Sequence, residues 1–367
     1  MKIERVEFAN FRLPLTRRFR VGTLAIEERA GRFVRLTTTE GLQGHGEIAP
    51  LPGLHTESLA DVDKVLRAVG PGLQGGDFAT FDALAQNIAN RVAACAPDGC
   101  PSAVFGLQSA AAAVFADQAD TTPAAILAKA PRDRVAVNAL FVGSPVAAAE
   151  AVASGELDAY SCVKVKAGRQ SLGEDRDVFK ILLAGLPDQT TLRIDANRAL
   201  SLEDAIQRFE GLPPERIEFL EEPLANPGEL VELHTRTGLS IGLDETLHIP
   251  SLRDIGRAPY VSAWCLKPSR IGHWGRLCFL AQEAERAGSA VVVSSALESG
   301  LGLWAQVQIA AALPGRTAAA GLGTEGWLRL DTVSPPYDAS FGVVRTCDWQ
   351  GSLSERVRAK LRFVRAG

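Results

Sequence analysis

Cysteine is sparse and scattered. The six residues, Cys95, Cys100, Cys162, Cys265, Cys278 and Cys347, are spread over 367 positions, and an even count alone makes no disulfide framework in a chain this long. Cys95 and Cys100 flank Ala-Pro-Asp-Gly, but no second cysteine pair or nearby histidine completes a zinc site, so free thiols are expected. Long apolar runs are missing too, which excludes a bilayer-spanning helix. Met1 is followed by Lys2, Glu4, Arg5 and Glu7 instead of the apolar stretch of a signal peptide, so a cytoplasmic location is expected. Positive charge is not in excess. Lys and Arg number 39 against 43 Asp and Glu, a formal net charge of −4, which argues against a nucleic-acid or acidic-membrane partner. A dinucleotide loop is lacking as well. Gly321-Leu-Gly-Thr-Glu-Gly326 has the glycine spacing, but it follows the last expected strand and Trp327-Leu-Arg-Leu does not open a helix.

What remains is ordinary globular composition, 46% apolar and 22% charged, in a chain longer than one typical core holds. Residues 3–13 suit a strand ending at Pro14. Thr16 to Thr23 reads as a basic loop, and the part from Arg17 is a candidate flap whose arginines, Arg20 among them, could meet an anionic ligand. Arg32 to Thr39 reads as a second strand, and Gly44 to Gly53 as a shaped loop. Residues 57–69, 78–94 and 102–119 have helical spacing, and the last is alanine-rich enough to be buried. Strands followed by helices make an α+β unit. From Val135 short apolar strands alternate with helices. The strands are 135–142, 162–166, 191–195, 217–221, 240–244, 261–267, 290–294 and 317–321, a repeat of about 25 residues. Eight βα-sized repeats argue for an α/β barrel, with a doubly wound sheet as the alternative. The expected division is an α+β unit over 1–130, a (β/α)-barrel over 131–324, and a tail, 325–367, packing back on the first unit.

The ends of these strands carry the chemistry. The second ends in Lys164-Val-Lys166, the third in Asp195-Ala-Asn197, the fourth in Glu221-Glu222-Pro223, the fifth in Asp244-Glu245, the sixth in Lys267-Pro268 and the seventh in Ser294-Ser295. Side chains alternate along a strand, so Lys164 and Lys166 share a face. Charges on five consecutive strands at one rim mark the C-terminal face, where barrel enzymes act. Asp195, Glu221 and Asp244 would be neighbours there, and three close carboxylates repel unless a cation joins them. Oxygen ligands with room for substrate suit Mg²⁺, with Mn²⁺ possible. Such a metal flanked by amines can bind a small carboxylate substrate and make its α-proton removable, the enediolate being held by the metal and a lysine. Lys166 would be the base, its pKa lowered toward ~7–8 by neighbouring cations such as Lys164 and the metal. The plain alternative is an ion-pair network that locks the barrel, but buried charge networks are a poor source of stability.

This residue set resembles the enolase superfamily in its muconate-lactonizing subgroup, whose sites pair Lys or His bases with Mg²⁺. Four stretches are closest to the o-succinylbenzoate synthase family: Gly44 to Gly53, Arg193-Ile-Asp-Ala-Asn-Arg198, Phe219-Leu-Glu-Glu-Pro223 and Ser294 to Gly302. The resemblance implies a capping domain built from the N-terminal region and the C-terminal tail over a modified (β/α)₇β barrel. It implies Mg²⁺ on Asp195, Glu221 and Asp244, and a metal-dependent lyase. The reaction would be syn-dehydration of 2-succinyl-6-hydroxy-2,4-cyclohexadiene-1-carboxylate to 2-succinylbenzoate, a step of menaquinone synthesis. Lys166 would take the α-proton and protonate the departing hydroxyl, Lys267 would stabilise the enediolate, and Lys164 would assist. The flap from Arg17 to Thr23 and the loop from Pro50 to Gly53 would close over substrate, and Ser294, Ser295 and Gly321 would lie near its succinyl arm.

Other functions of such a barrel are separated by the same residues. A racemase of N-succinylamino acids would use Lys166 and Lys267 on opposite faces of an α-carbon. A dipeptide epimerase is disfavoured, because Gly321-Leu-Gly323 stands where those enzymes carry Asp-x-Asp. A non-catalytic barrel would have lost a metal ligand or Lys166, and none is missing. Oligomeric state is not legible in the sequence.

Overall fold

In the computed structural model, which describes residues 1–21, 24–349 and 351–366, and only the backbone of residues 20–21 and 250–253, the chain opens with an antiparallel sheet. Strands β1 (Ile3–Val21) and β2 (Leu24–Thr38) form one long hairpin, and β3 (Gln43–Ile48) lines the far edge of β2. The expected end at Pro14 does not occur. Pro14 pairs with Glu28, and the ladder continues past it after a register shift between Pro14 and Phe19. The basic stretch is therefore an arm of the hairpin. Gly22, Thr23 and the side chain of Arg20 lie outside the described residues.

The segment Gly44–Ile48 is a strand, not the expected loop, because its glycines face a helix at very close range. A Cβ on Gly46 would stand 1.9 Å from the carbonyl oxygen of Gly106. Helices α1 (Leu59–Leu73) and α3 (Pro101–Gln118) pack on this sheet, and α2 (Phe81–Cys95) packs on both of them. Helix α3 is buried nearly all round, as its alanine content requires.

A short α4 (Pro123–Leu127) leads to the expected strand 135–142, which divides in two. β4 (Arg134–Ala136) pairs antiparallel with β12 (Val343–Arg345) of the tail, while β5 (Ala139–Phe141) begins the parallel barrel sheet. That sheet continues with β6 (Cys162–Lys166), β7 (Thr191–Asp195), β8 (Ile217–Glu221), β9 (Ile241–Leu243), β10 (Val261–Leu266) and β11 (Ala290–Val293), each beside the next. Residues 316–321 occupy the eighth position. Isolated bridges from Thr317 to Val291, from Gly321 to Ser294 and from Ala320 to Val137 close the ring.

Helices α5 (Pro145–Ser154), α6 (Leu172–Gly185), α7 (Leu202–Phe209) and α8 (Leu230–Thr237) connect successive strands. After β9 two 3₁₀ turns (Glu245–His248 and Pro250–Arg257) take that role, and α9 (Pro268–Ile271), α10 (Trp274–Arg286) and α11 (Gly300–Ala312) complete the set. Outward residues of the strands, such as Val163, Val165, Ile194 and Leu220, are buried, each contributing about 1.5–3 kcal/mol of apolar burial. Past β12, a short α12 (Glu355–Arg358) leads to β13 (Val364–Arg365), which pairs with β1. All six cysteines are free. Among the described residues no helix is long and apolar enough to cross a membrane.

Candidate active site

Strand alternation turns Lys164 and Lys166 into the barrel and Val163 and Val165 against the helices. The strand ends at Lys166, and two residues on the chain turns at Gly168, whose φ of +74° suits only glycine well. Its N–H donates to Asp175 Oδ2 at 2.8 Å, and Arg208 holds that carboxylate at 2.9 Å. Ser171 and Glu174 then form a capping box that starts α6. Parallel register sets Lys166 beside Asp195, Asp195 beside Glu221, and Glu221 beside Gly242, two residues before Asp244. The strand ends are followed by left-handed non-glycine residues, Asn197 at φ 45°, Arg198 at 59° and Glu222 at 40°. Such conformations persist only where surroundings over-determine them, and they cluster at functional sites.

Lys164 Nζ bridges Asp195 Oδ2 and Glu221 Oε2, 2.7 Å from each. Lys166 Nζ lies 2.5 Å from Asp195 Oδ2 and 2.8 Å from Asn197 Oδ1. Asn197 Nδ2 is 3.3 Å from Glu245 Oε1, and Lys267 pairs with Asp244. In the sheet, the strands bearing the carboxylates stand between β6 and β10, so Lys166 and Lys267 flank them from two sides.

The lysines sit in different electrostatic states. Burial disfavours the Lys164 ammonium, but Asp195 and Glu221 outweigh it and hold its pKa up. Burial lowers Lys166, and the charge of Lys164 adds to that against Asp195 and Glu221. Burial also brings Lys267 down to about 7. Asp195 is buried, yet Lys164 and Lys166 keep it well below the usual carboxylate range. The carboxylates thus favour the charged form of Lys164, while burial shifts Lys166 and Lys267 the other way.

These groups line a cavity of about 350 Å³, together with Phe19, Leu51 and Leu54 from the N-terminal region and Ser294, Ser295 and Gly321 from the barrel. That is a size suited to a small ligand. Glu221, covered by Lys164, does not reach its wall. A Cβ on Gly321 would stand 2.5 Å from Ser294 Oγ, so glycine there leaves room for the hydroxyl. Ser295 Oγ lies 2.9 Å from Thr324 Oγ1.

The sequence motifs contain Glu222 and Glu245, but sequence reasoning gives neither a role. Glu222 is buried beneath the site and accepts hydrogen bonds from Asp244 N, Thr246 N and Thr246 Oγ1, each at 2.7 Å, which fixes the turn carrying Asp244. Burial pushes its pKa to about 7. The doubled Glu221-Glu222 was the available signal, since alternation sends only one of them into the barrel.

Among the described residues no three donors stand as a preformed metal cluster, because lysines lie between the carboxylates. The donor set nonetheless fits a hard divalent cation. Three carboxylates end adjacent strands, and Asp244 Oδ1 is buried without a hydrogen-bond partner among the described residues.

Comparison with known proteins agrees with this geometry. Residues 146–351 match the family model "Enolase C-terminal domain-like" and residues 3–114 match "MenC, N-terminal domain". The o-succinylbenzoate synthase of Pectobacterium atrosepticum is 34% identical over 281 residues, covering 76% of this chain and 77% of that protein. The chloroplastic protein PHYLLO of Arabidopsis thaliana is 28% identical over 90% of this chain, which spans only 21% of that protein's length. Two solved structures share the fold. An N-succinyl Arg/Lys racemase from Bacillus cereus has a TM-score of 0.83 at 20% identity, covering 100% of both chains. A dipeptide epimerase from Enterococcus faecalis, complexed with Mg and the dipeptide L-Leu-L-Tyr, has a TM-score of 0.82 at 21% identity, covering 96% of this chain and 98% of that one. This chain belongs to the enolase superfamily of enzymes, as a relative of the o-succinylbenzoate synthases.

Proposed function

We propose that this protein is an o-succinylbenzoate synthase, dehydrating 2-succinyl-6-hydroxy-2,4-cyclohexadiene-1-carboxylate to 2-succinylbenzoate in menaquinone synthesis. The observation that carries the reading is the combination of a MenC-type N-terminal region with a barrel relative of that activity. The cavity chemistry supports it. Asp195, Glu221 and Asp244 would hold Mg²⁺, which supplies positive charge where the substrate carboxylate becomes an enediolate. Lys166, lowered by burial and by Lys164, takes the proton α to that carboxylate. The electron pair left behind expels the neighbouring hydroxyl, and the proton on Lys166 leaves with it as water, so the base is restored. Lys267, across the carboxylates, faces the enediolate. Ser294, Ser295 and Gly321 form the wall for the succinyl arm, and Arg20 is the candidate flap contact.

Racemisation of N-succinylamino acids is the second reading, favoured by the two lysines flanking the carboxylates from opposite strands. Purified protein with Mg²⁺ and the cyclohexadiene substrate, followed by absorbance, tests the first. Aromatisation that stops in EDTA and returns with Mg²⁺ is expected. Absent aromatisation, with deuterium entering N-succinylamino acids from D₂O, would move the function to racemisation.

A further inference from the structure

The buried polar groups between the N-terminal sheet and the barrel have no part in the chemistry above. Arg29, on β2, is 2% exposed. Among the described residues its guanidinium forms no ion pair with a carboxylate, although the charges of Glu298 and Glu47 act on it from nearby. Nε donates to Leu297 O at 3.0 Å, Nη2 to Ala49 O at 2.5 Å and Nη1 to Pro50 O at 3.4 Å. Those carbonyls belong to two separate loops. One runs into Leu51, Gly53 and Leu54, the other contains Ser294 to Leu297, and both line the cavity.

Beside it Glu47, on β3 and equally buried, reaches into the start of α11. Its carboxylate accepts from Ser299 N at 3.0 Å, Ser299 Oγ at 2.5 Å and Gly302 N at 3.1 Å. Ser299, at the N-cap position, makes no side-chain cap of its own helix, so Glu47, with Thr332 Oγ1 accepting from Leu301 N at 3.1 Å, does that work from other parts of the chain. Between the two anchors, Leu297 is held at φ 61°, and Glu298 Oε2 accepts from Ala296 N at 2.6 Å.

A buried charge on backbone carbonyls is a weak way to gain stability, but a guanidinium fork is a good way to hold two loops at a set spacing. We infer that Arg29 and Glu47 are positioning residues that set the spacing between the Leu51–Leu54 and Ser294–Leu297 walls of the cavity, and so govern substrate binding and not proton transfer. Only the kinetic part of the test rests on the synthase reading.

The test uses Arg29→Met, Glu47→Gln and Ser299→Ala in the full chain, with hydrogen exchange of the peptide spanning residues 294–303 and saturation kinetics with the cyclohexadiene carboxylate. Exchange in that peptide should quicken on the order of ten-fold while β7 and β10 stay protected. KM should rise about ten-fold with kcat nearly unchanged, and Arg29→Lys should recover part of the loss. If Arg29→Met unfolds, Glu47→Gln decides by the same pattern, with Ser299→Ala, which removes the Oγ hydrogen bonds to both Glu47 and Thr332, as a smaller change beside it. Unchanged exchange at 294–303, exchange rising equally everywhere, or kcat falling at constant KM would overturn the inference. Should the wild type fail to aromatise the substrate, the synthase reading falls and the exchange data alone decide on the positioning role.

Discussion

Two charged clusters share the barrel interior, one layer apart, and they are built differently. Arg193 lies two residues before Asp195 on the same face of β7. It is 1% exposed, and its fork is closed by Glu218 at 2.9 and 3.2 Å, Asn138 Oδ1 at 3.0 Å and Ala319 O at 2.6 Å, with the ring of Phe219 5.0 Å away. The upper cluster uses lysines in place of arginine, faces a cavity, and leaves Asp244 Oδ1 without a hydrogen-bond partner among the described residues. Arginine's planar, permanently charged fork suits a closed structural pair, whereas lysine shifts its pKa readily and can exchange partners. The three lysines already pair with Asp195, Glu221 and Asp244, so a divalent cation on those carboxylates would displace the ammonium groups and push the lysines toward neutrality. The lower layer is closed on its own partners, and the upper layer opens on the cavity.

The largest expected contrast is in turnover. Lys166→Ala should lower kcat about 10³-fold, the usual scale for a lost general acid–base group, with the urea midpoint nearly unchanged. Next is stability. Arg193→Met should cost about 2–3 kcal/mol in urea unfolding, below the ~3–5 of a fully buried pair because Glu218 keeps some water. Mg²⁺ affinity should then barely move beyond what the stability loss explains. Smaller again, Glu222→Gln should weaken Mg²⁺ binding about ten-fold, the low end for groups that orient metal ligands, as read by calorimetry. Smallest is the proton count. At pH 7, Mg²⁺ binding should release up to about one proton, seen as a dependence of apparent binding heat on buffer ionisation enthalpy. An absence of release would mean that the lysines are already neutral or remain paired.

Much of the barrel was legible because parallel strands buried on both faces read as short apolar runs. Strands β6, β7 and β8 end at Lys166, Asp195 and Glu221 as expected, since the charged residue after an apolar run marks the rim. The long hairpin was not legible, because Pro14 and the charges after it resemble a loop unless the partner strand is known. Strand β3 was hidden by Gly44 and Gly46, whose role depends on a helix some 60 residues away. The eighth barrel strand shows only isolated bridges. Asn197 was visible in its motif, but its hydrogen bond to Lys166 depends on a left-handed backbone that composition does not announce. The contacts of Arg29 and Glu47 span 268 and 252 residues, beyond any periodicity or local motif.

The most direct test of the division between the two layers is a crossed measurement on Lys166→Met and Arg193→Met, recording turnover and urea stability for both. Turnover lost with stability kept in Lys166→Met, and stability lost with turnover per folded molecule kept in Arg193→Met, is the expected result. Equal losses of both properties in the two variants would contradict it, and would make the upper cluster another part of the barrel's framework.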